Sequence, residues 1–169
     1  LDASAVRAFG ADTVVVATGA RPPLTGYQRG LPEVDQLPGV ELGNVCAVDC
    51  VLAGRFVPGH RVLVLDDLGG AWQGPGTALK LAEAGHAVTI VARDPYIAME
   101  TARVSSDKAL RKALTRAGAE LRPMSAVTRW LGDGATIRHL PTGAEEARPF
   151  DTLVLAETPK PDDGLHRAL

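Results

Sequence analysis

The run from Arg61 to Ala92 constrains this chain most. Val62–Leu65 is a short, uninterrupted apolar strand, and Asp66-Asp67-Leu68-Gly69-Gly70-Ala71-Trp72-Gln73-Gly74 comes after it as a loop. The segment Thr77–Ala84 keeps Ala78, Leu79, Leu81 and Ala82 at helical spacing and is closed by Gly85. Ala87–Ala92 is a second apolar strand. Continuous apolar strands lack the polar alternation of a half-solvated sheet, so both belong in a parallel sheet buried on its two faces. Strand, glycine loop, helix and strand within about thirty residues make a βαβ unit.

The remaining segments extend that fold. Asp12–Thr18, DTVVVAT, reads as another buried parallel strand bounded by Gly19, and Arg21-Pro22-Pro23 forbids a helix after it. Residues 20–45, rich in Pro and Gly, read as a crossover or connection, and Val45–Gly54 as a short helix ended by Gly54. Ser105 or Ser106 caps a further helix with Ala109, Leu110, Ala113, Leu114 and Ala117 on one face and Gly118 as its stop. Ala119–Leu121 is a short strand. Ala126–Leu131 and Ala135–Leu140 form a hairpin around Gly132-Asp133-Gly134, and a turn comes next at Pro141-Thr142-Gly143. Asp151–Ala156, DTLVLA, is a last buried strand that echoes DTVVVAT. The fold class is α/β: a Rossmann-like parallel sheet with a β-hairpin or meander.

Composition narrows the function. The net charge of −2 leaves no basic footprint for nucleic acid. No apolar run approaches the ~18 residues of a membrane span. The chain of 169 residues opens on Leu1, which suggests a piece of a longer protein. Cys46 and Cys50 are spaced C-x3-C while His60, His86, His139 and His166 are scattered, so the cysteines read as small apolar residues and no metal site is expected. A reducing cytoplasm suits them. Ser105, Ser106 and Asp107 fall in no nucleophile motif. Trp72 and Trp130 read as packing residues, although Trp72 could fill the space of an adenine or a phosphate.

The loop after Leu65 carries the chemistry. In a dinucleotide fold, glycines let the backbone approach a pyrophosphate that the helix N-terminus faces. Taking Gly74 as the third fingerprint glycine makes Gly69 the first and puts Ala71 at the second. Asp66 and Asp67 stand where a phosphate would approach and would repel it unless turned away. An acid commonly ends the second strand, to hold ribose hydroxyls. Here Ala92 ends it and Arg93 is next, which suits a 2′-phosphate or is simply a solvated strand-end charge. Ala17-Thr18-Gly19 closes its strand with either a nucleotide-approach glycine or an ordinary tight turn.

These residues resemble a known family. Val14-Val15-Val16-Ala17-Thr18-Gly19-Ala20-Arg21-Pro22 is similar to the strand and turn that close the first nucleotide domain of two-domain flavoproteins of the disulfide-reductase type. Arg61–Asp67, Gly69-Gly70 and Leu81–Val91 resemble the second, NAD(P)H-type domain. The Asp-Asp-x-Gly-Gly start resembles the C-terminal region of the trimethylamine dehydrogenase and 2,4-dienoyl-CoA reductase branch of the Old Yellow Enzyme-like NADH:flavin oxidoreductases. The resemblance implies three parts: residues 1–58 as a remnant of the first, FAD/ADP-type domain with its connection, 59–157 as the NAD(P)H-type domain, and 158–169 as a return segment.

It also implies partners outside this chain: an N-terminal barrel with FMN, an iron–sulfur cluster and, in amine dehydrogenases, an electron-transfer flavoprotein. Within this chain it implies NADP, or ADP/FAD, with Gly69, Gly70, Gly74 and Arg93 holding one nucleotide and Ala17, Thr18 and Gly19 lining another. No catalytic residue maps here. Ala71 and Asp66-Asp67 match a degenerate domain of an amine dehydrogenase-like enzyme. A working NADPH domain of an enoate or dienoyl-CoA reductase-like enzyme and a non-catalytic docking domain are the alternatives. Thr158 stands where the family often has a glycine, which puts close flavin approach to Ala156-Glu157-Thr158-Pro159 in doubt.

Overall fold

A computed structural model describes residues 2–169. The chain divides into two compact units, residues 1–23 with 159–169, and residues 24–158. These units divide the chain elsewhere than the sequence boundary at 58/59: residues 24–58 fall in the second unit, where Leu37, Val40, Cys46, Ala47 and Val51 are core residues.

The first unit contains helix α1 (Ala3–Phe9), strand β1 (Ala20–Arg21), strand β10 (Lys160–Pro161) and helix α5 (Gly164–Ala168). Asp2 caps α1 by accepting the Ala5 N–H, and Gly10 ends it in the left-handed region at φ +71°. β1 and β10 pair antiparallel, Ala20 opposite Pro161. Asp12–Thr18 forms no strand, against expectation, and Val14 and Val15 are 44% and 87% exposed. A β-branched run becomes a strand only when a neighbour completes its ladder, and among the described residues no strand lies beside it.

The second unit holds β2 (Val45–Ala47), α2 (Val48–Leu52), β3 (Arg61–Asp66), α3 (Gln73–Glu83), β4 (Ala87–Ala92), α4 (Asp107–Arg116), β5 (Glu120–Arg122), β6 (Ser125–Trp130), β7 (Gly134–His139), β8 (Glu145–Pro149) and β9 (Thr152–Ala156). Five strands form a parallel sheet in the order β2-β9-β3-β4-β5, and β6-β7-β8 form an antiparallel meander. Alternate residues of β3 serve opposite faces. Val62 and Val64 join Ala78 and Leu81 of α3 and Leu110 and Leu114 of α4. Leu63 and Leu65 join Leu37, Val127, Trp130 and Ile137. Both faces are thus covered, the condition that lets β3 and β9 be apolar along their lengths.

Several boundaries move. Val45–Gly54 is a strand and then a helix, since Cys46 pairs with Val154 of β9 at the edge of the sheet. Helix α3 starts at Gln73, four residues earlier than its periodicity suggests, taking Gly74 and Pro75 into its first turn. Ser106 stands at the cap of α4 but makes no side-chain capping bond; its hydroxyl donates to the Val104 carbonyl at 3.3 Å. β8 completes the meander beyond the expected turn. Its exposed, charged sequence hides a strand whose partner is the middle strand of the meander.

Residues 24–44 are pinned by side chains. The amide of buried Gln28 acts as a peptide unit for β6: Nε2 donates to the Val127 carbonyl at 2.7 Å, and the Val127 N–H donates to Oε1 at 2.8 Å. Trp130, fully buried, donates its indole N–H to the Gly43 carbonyl at 3.0 Å. Gly39 lets the backbones touch, because a Cβ there would lie 2.0 Å from the Trp130 carbonyl oxygen. Gln28→Ala orphans a buried donor and acceptor at about 1–3 kcal/mol each. Urea denaturation should show a loss of about 2 kcal/mol or more with unchanged far-UV circular dichroism.

Candidate functional site

The parallel strands of the second unit end at one edge, where open α/β sheets bind ligands. The register sets Asp66 beside Ala92 of β4 and Ala156 of β9. Four acids gather on these strand ends: Asp66, Asp67, Asp94 and Glu157, all buried.

Asp66 closes β3 and is 1% exposed. Its Oδ1 accepts the Leu68 N–H at 3.2 Å, and its Oδ2 has no partner. Its carboxyl leans on α3: a Cβ on Gly74 would stand 2.7 Å from Asp66 Cγ. Gly74 thus performs the helix-against-strand role of a third fingerprint glycine. Burial pushes the Asp66 carboxyl up to about 7, against the donors Leu68 and Gly70 and with the charges of Asp94 and Asp67 adding to it.

Asp67 turns the other way. Its carboxylate accepts the Arg29 N–H at 2.9 Å and the Arg29 Nε–H at 3.1 Å. Arg29 also donates to the Asp67 carbonyl. Burial pushes the Asp67 carboxyl up, and Arg29 and Arg93 pull against that. Both acids are therefore turned away from solvent, the arrangement that the charge argument required.

Gly69 and Gly70 are buried and adopt φ of +73° and +74°, the left-handed region open to glycine. Their freedom serves the chain itself. A Cβ on Gly70 would stand 2.3 Å from the Met99 nitrogen and 2.9 Å from the Ala98 carbonyl carbon. Beside Gly69, the Glu100 Cγ and Arg29 Nη2 would stand 3.5 and 3.9 Å from an added Cβ, and the Glu100 N–H donates to the Gly69 carbonyl at 3.2 Å. The turn after β4 therefore lies on the glycine loop at Gly70, where the missing side chain makes room for the chain's own backbone, while Gly69 meets only side-chain atoms at ordinary contact distance.

Arg93 is half-buried, with its Nε enclosed and unpartnered and 4.0 Å from Asp94 Oδ1. It is thus not a freely solvated strand-end charge. Trp72 also departs from expectation: it is 53% exposed at the start of α3, while Trp130 is in the core. At the end of β9, buried Glu157 accepts from the Thr25 hydroxyl at 3.0 Å and the Tyr27 N–H at 3.1 Å. Burial pushes the Cys46 thiol up to about 12, and both cysteines are free.

Ala17, Thr18 and Gly19 belong to the first unit and are exposed. Gly19 turns at φ +76°, its carbonyl accepts the Asp162 N–H at 2.9 Å, and Thr18 donates to the Asp162 carbonyl. They line a shallow pocket of about 230 Å³ with Asp162, Asp163 and His166. The same unit carries an open apolar groove of about 280 Å³ with Val6, Phe9, Ala11, Val14 and Val15 on its walls; Phe9 is 85% exposed.

Sequence reasoning missed Arg29, Asp94, Met99 and Glu157. Arg29 sits in a segment without periodicity, 38 residues from its partner Asp67, and gives no local signal. Asp94, two residues beyond β4, could have been noticed as a second acid at a strand end. Among the described residues no helix is long and apolar enough to cross a membrane.

The family model described as pyridine nucleotide-disulphide oxidoreductase matches residues 2–167. No curated protein matches. Solved structures do. The 6-hydroxypseudooxynicotine amine oxidase from Pseudomonas geniculata N1 superposes with a TM-score of 0.90 at 28% identity, over 99% of this chain and 24% of that one. Histamine dehydrogenase from Rhizobium sp. 4-9 gives 0.90 at 23% identity, over 100% and 26%. A 2-naphthoyl-CoA reductase gives 0.80 at 23%, over 99% and 23%. The chain spans about a quarter of the length of these proteins.

The packing on Gly70 can be separated from its backbone geometry. Gly143 has a similar φ of +70° with open space around it. Gly143→Ala should cost about 1–2 kcal/mol for the left-handed backbone alone. Gly70→Ala should cost at least about 2 kcal/mol more, since it must displace backbone. Equal losses in chemical denaturation would show that the 98–99 turn yields freely.

Proposed function

The chain belongs to the pyridine nucleotide-disulphide oxidoreductase family, and from that premise we propose that it is the nucleotide-type region of a larger flavin-dependent oxidoreductase of the amine-dehydrogenase kind, with a degenerate pyridine-nucleotide loop. The observation that carries the reading is Gly70, packed against the Ala98–Met99 backbone where a ligand's phosphates would need room. Ala71 at the second fingerprint position supports it. The 28% identity over nearly the whole chain to an amine oxidase supports the choice of branch. In this reading the flavin chemistry, on FMN in an N-terminal barrel beside an iron–sulfur cluster, lies outside these residues. The second unit is a scaffold, and electrons leave to an electron-transfer flavoprotein in the cytoplasm.

One observation favours a second reading. Arg93, half-buried with its Nε unpartnered, is a cation at the strand end where a 2′-phosphate would sit. A working NADPH domain of a reductase-like enzyme would use it. Calorimetric titration with NADPH, NADH and ADP separates the two. The degenerate reading expects no saturable NADPH or NADH binding up to about 1 mM, and no effect of Arg93→Ala. Micromolar NADPH binding that Arg93→Ala reduces toward the NADH level would replace it with the reductase reading.

A further inference from the structure

The charges at the glycine loop do not balance as a set of ionised groups. Asp67 is met by Arg29, through its backbone N–H at 2.9 Å and its Nε–H at 3.1 Å. Asp94 has Arg93 at 4.0 Å. Asp66 has no cation. Its own strand and loop face it with the N–H of Leu68 and the charge of Asp67. The segment after β4 adds the charge of Asp94. The flanking strands place Ala92 and Ala156 beside it, and α3 presents Gly74. The Gly70 N–H also favours the ionised form, but Oδ2 is enclosed and has no hydrogen-bond partner. An ionised carboxylate there is a buried, unpaired charge repelled by two others of the same sign, a costly arrangement for an acid.

We propose that Asp66 is a proton-holding latch: its neutral carboxyl seats the Asp66–Gly74 loop against α3, and ionisation loosens that loop. The open loop exposes the carboxyl to water and returns it to its ordinary acidity, while the closed loop keeps the proton bound. Burial holds the closed-state carboxyl near 7, so the two states differ in protons bound between about pH 4 and about pH 7. Across that window opening becomes more frequent by up to about tenfold per pH unit, and above it the effect levels off. Loosening the loop also uncovers Gly69 and Gly70, so the latch governs access to the face that the 98–100 turn covers. This last consequence rests on the degenerate-loop reading of the function.

Hydrogen exchange of the full chain, read by mass spectrometry on peptides covering Leu68–Gly74, tests it. After division by intrinsic exchange, protection of these amides should fall at least about tenfold between about pH 4.5 and about pH 7, then stay level. Asp66→Asn should hold the acid-side protection throughout, because an amide stands in for the neutral acid. A flat wild-type profile overturns the proposal, as does an Asp66→Asn profile with the wild-type slope. If Asp66→Asn does not fold, Asp94→Asn decides. Removing one like charge should move the levelling-off point to lower pH, and an unmoved point overturns the latch. The functional reading fails separately: wild-type NADPH binding with the expected exchange profile would sink the degenerate loop and leave the latch intact, and a flat profile without NADPH binding would do the reverse.

Discussion

Strand β3 has no solvent face, and that constraint propagates through the second unit. Val62 and Val64 meet α3 and α4, while Leu63 and Leu65 meet Trp130, Ile137, Leu37 and Val40. Burying four such side chains contributes of the order of 10 kcal/mol. That is more than the about 4 kcal/mol that ionising a carboxyl moved from 3.8 to about 7 would cost. The strand can therefore carry Asp66 into the interior at its last position. Once it does, the chain must satisfy or neutralise the polar groups carried in with it. Arg29 turns back for Asp67, Gly74 gives up a side chain for Asp66, and the turn after β4 lies down on Gly70.

Legibility in the sequence divides along the same line between local and distant contacts. The βαβ core was legible because its signals are local: apolar runs, one helical face and terminal glycines. So was the Asp-Asp-Gly-Gly branch feature. The run Asp12–Thr18 misled because local pattern reports an appetite for burial, and burial requires a neighbour. The same appetite in Thr152–Ala156 is met by β2 and β3, which flank it. Strand β8 was hidden in the opposite sense: Glu145 and Glu146 are exposed, yet their backbone pairs with β7 while the side chains take Arg138 and Arg122. At the candidate site, Gly69, Gly70 and Gly74 were visible as glycines, but the groups pressing on them were not. Arg29 and Met99 come from distant segments, and no spacing rule connects them to the loop.

A glycine in a nucleotide-type loop answers two different demands. One is room for a phosphate, and the other is room for the chain. Sequence alone shows that the side chain is missing and cannot say which demand removed it. Here the three glycines separate. Gly74 keeps the packing role of the dinucleotide fingerprint, since strand and helix must meet at Asp66 whether or not a ligand binds. Gly70 has been turned to packing as well, against Met99. A loop that lost its ligand would still retain such glycines, because each removed side chain is now required by a neighbour. Persistence of the Gly-rich pattern is then evidence for the fold, and the test of binding moves to the groups that face outward. Among the described residues at this edge, Arg93 is a half-buried cation whose Nε has no hydrogen-bond partner. The buried carboxyls of Asp66, Asp67 and Asp94 work in the opposite direction, against an anion approaching this edge.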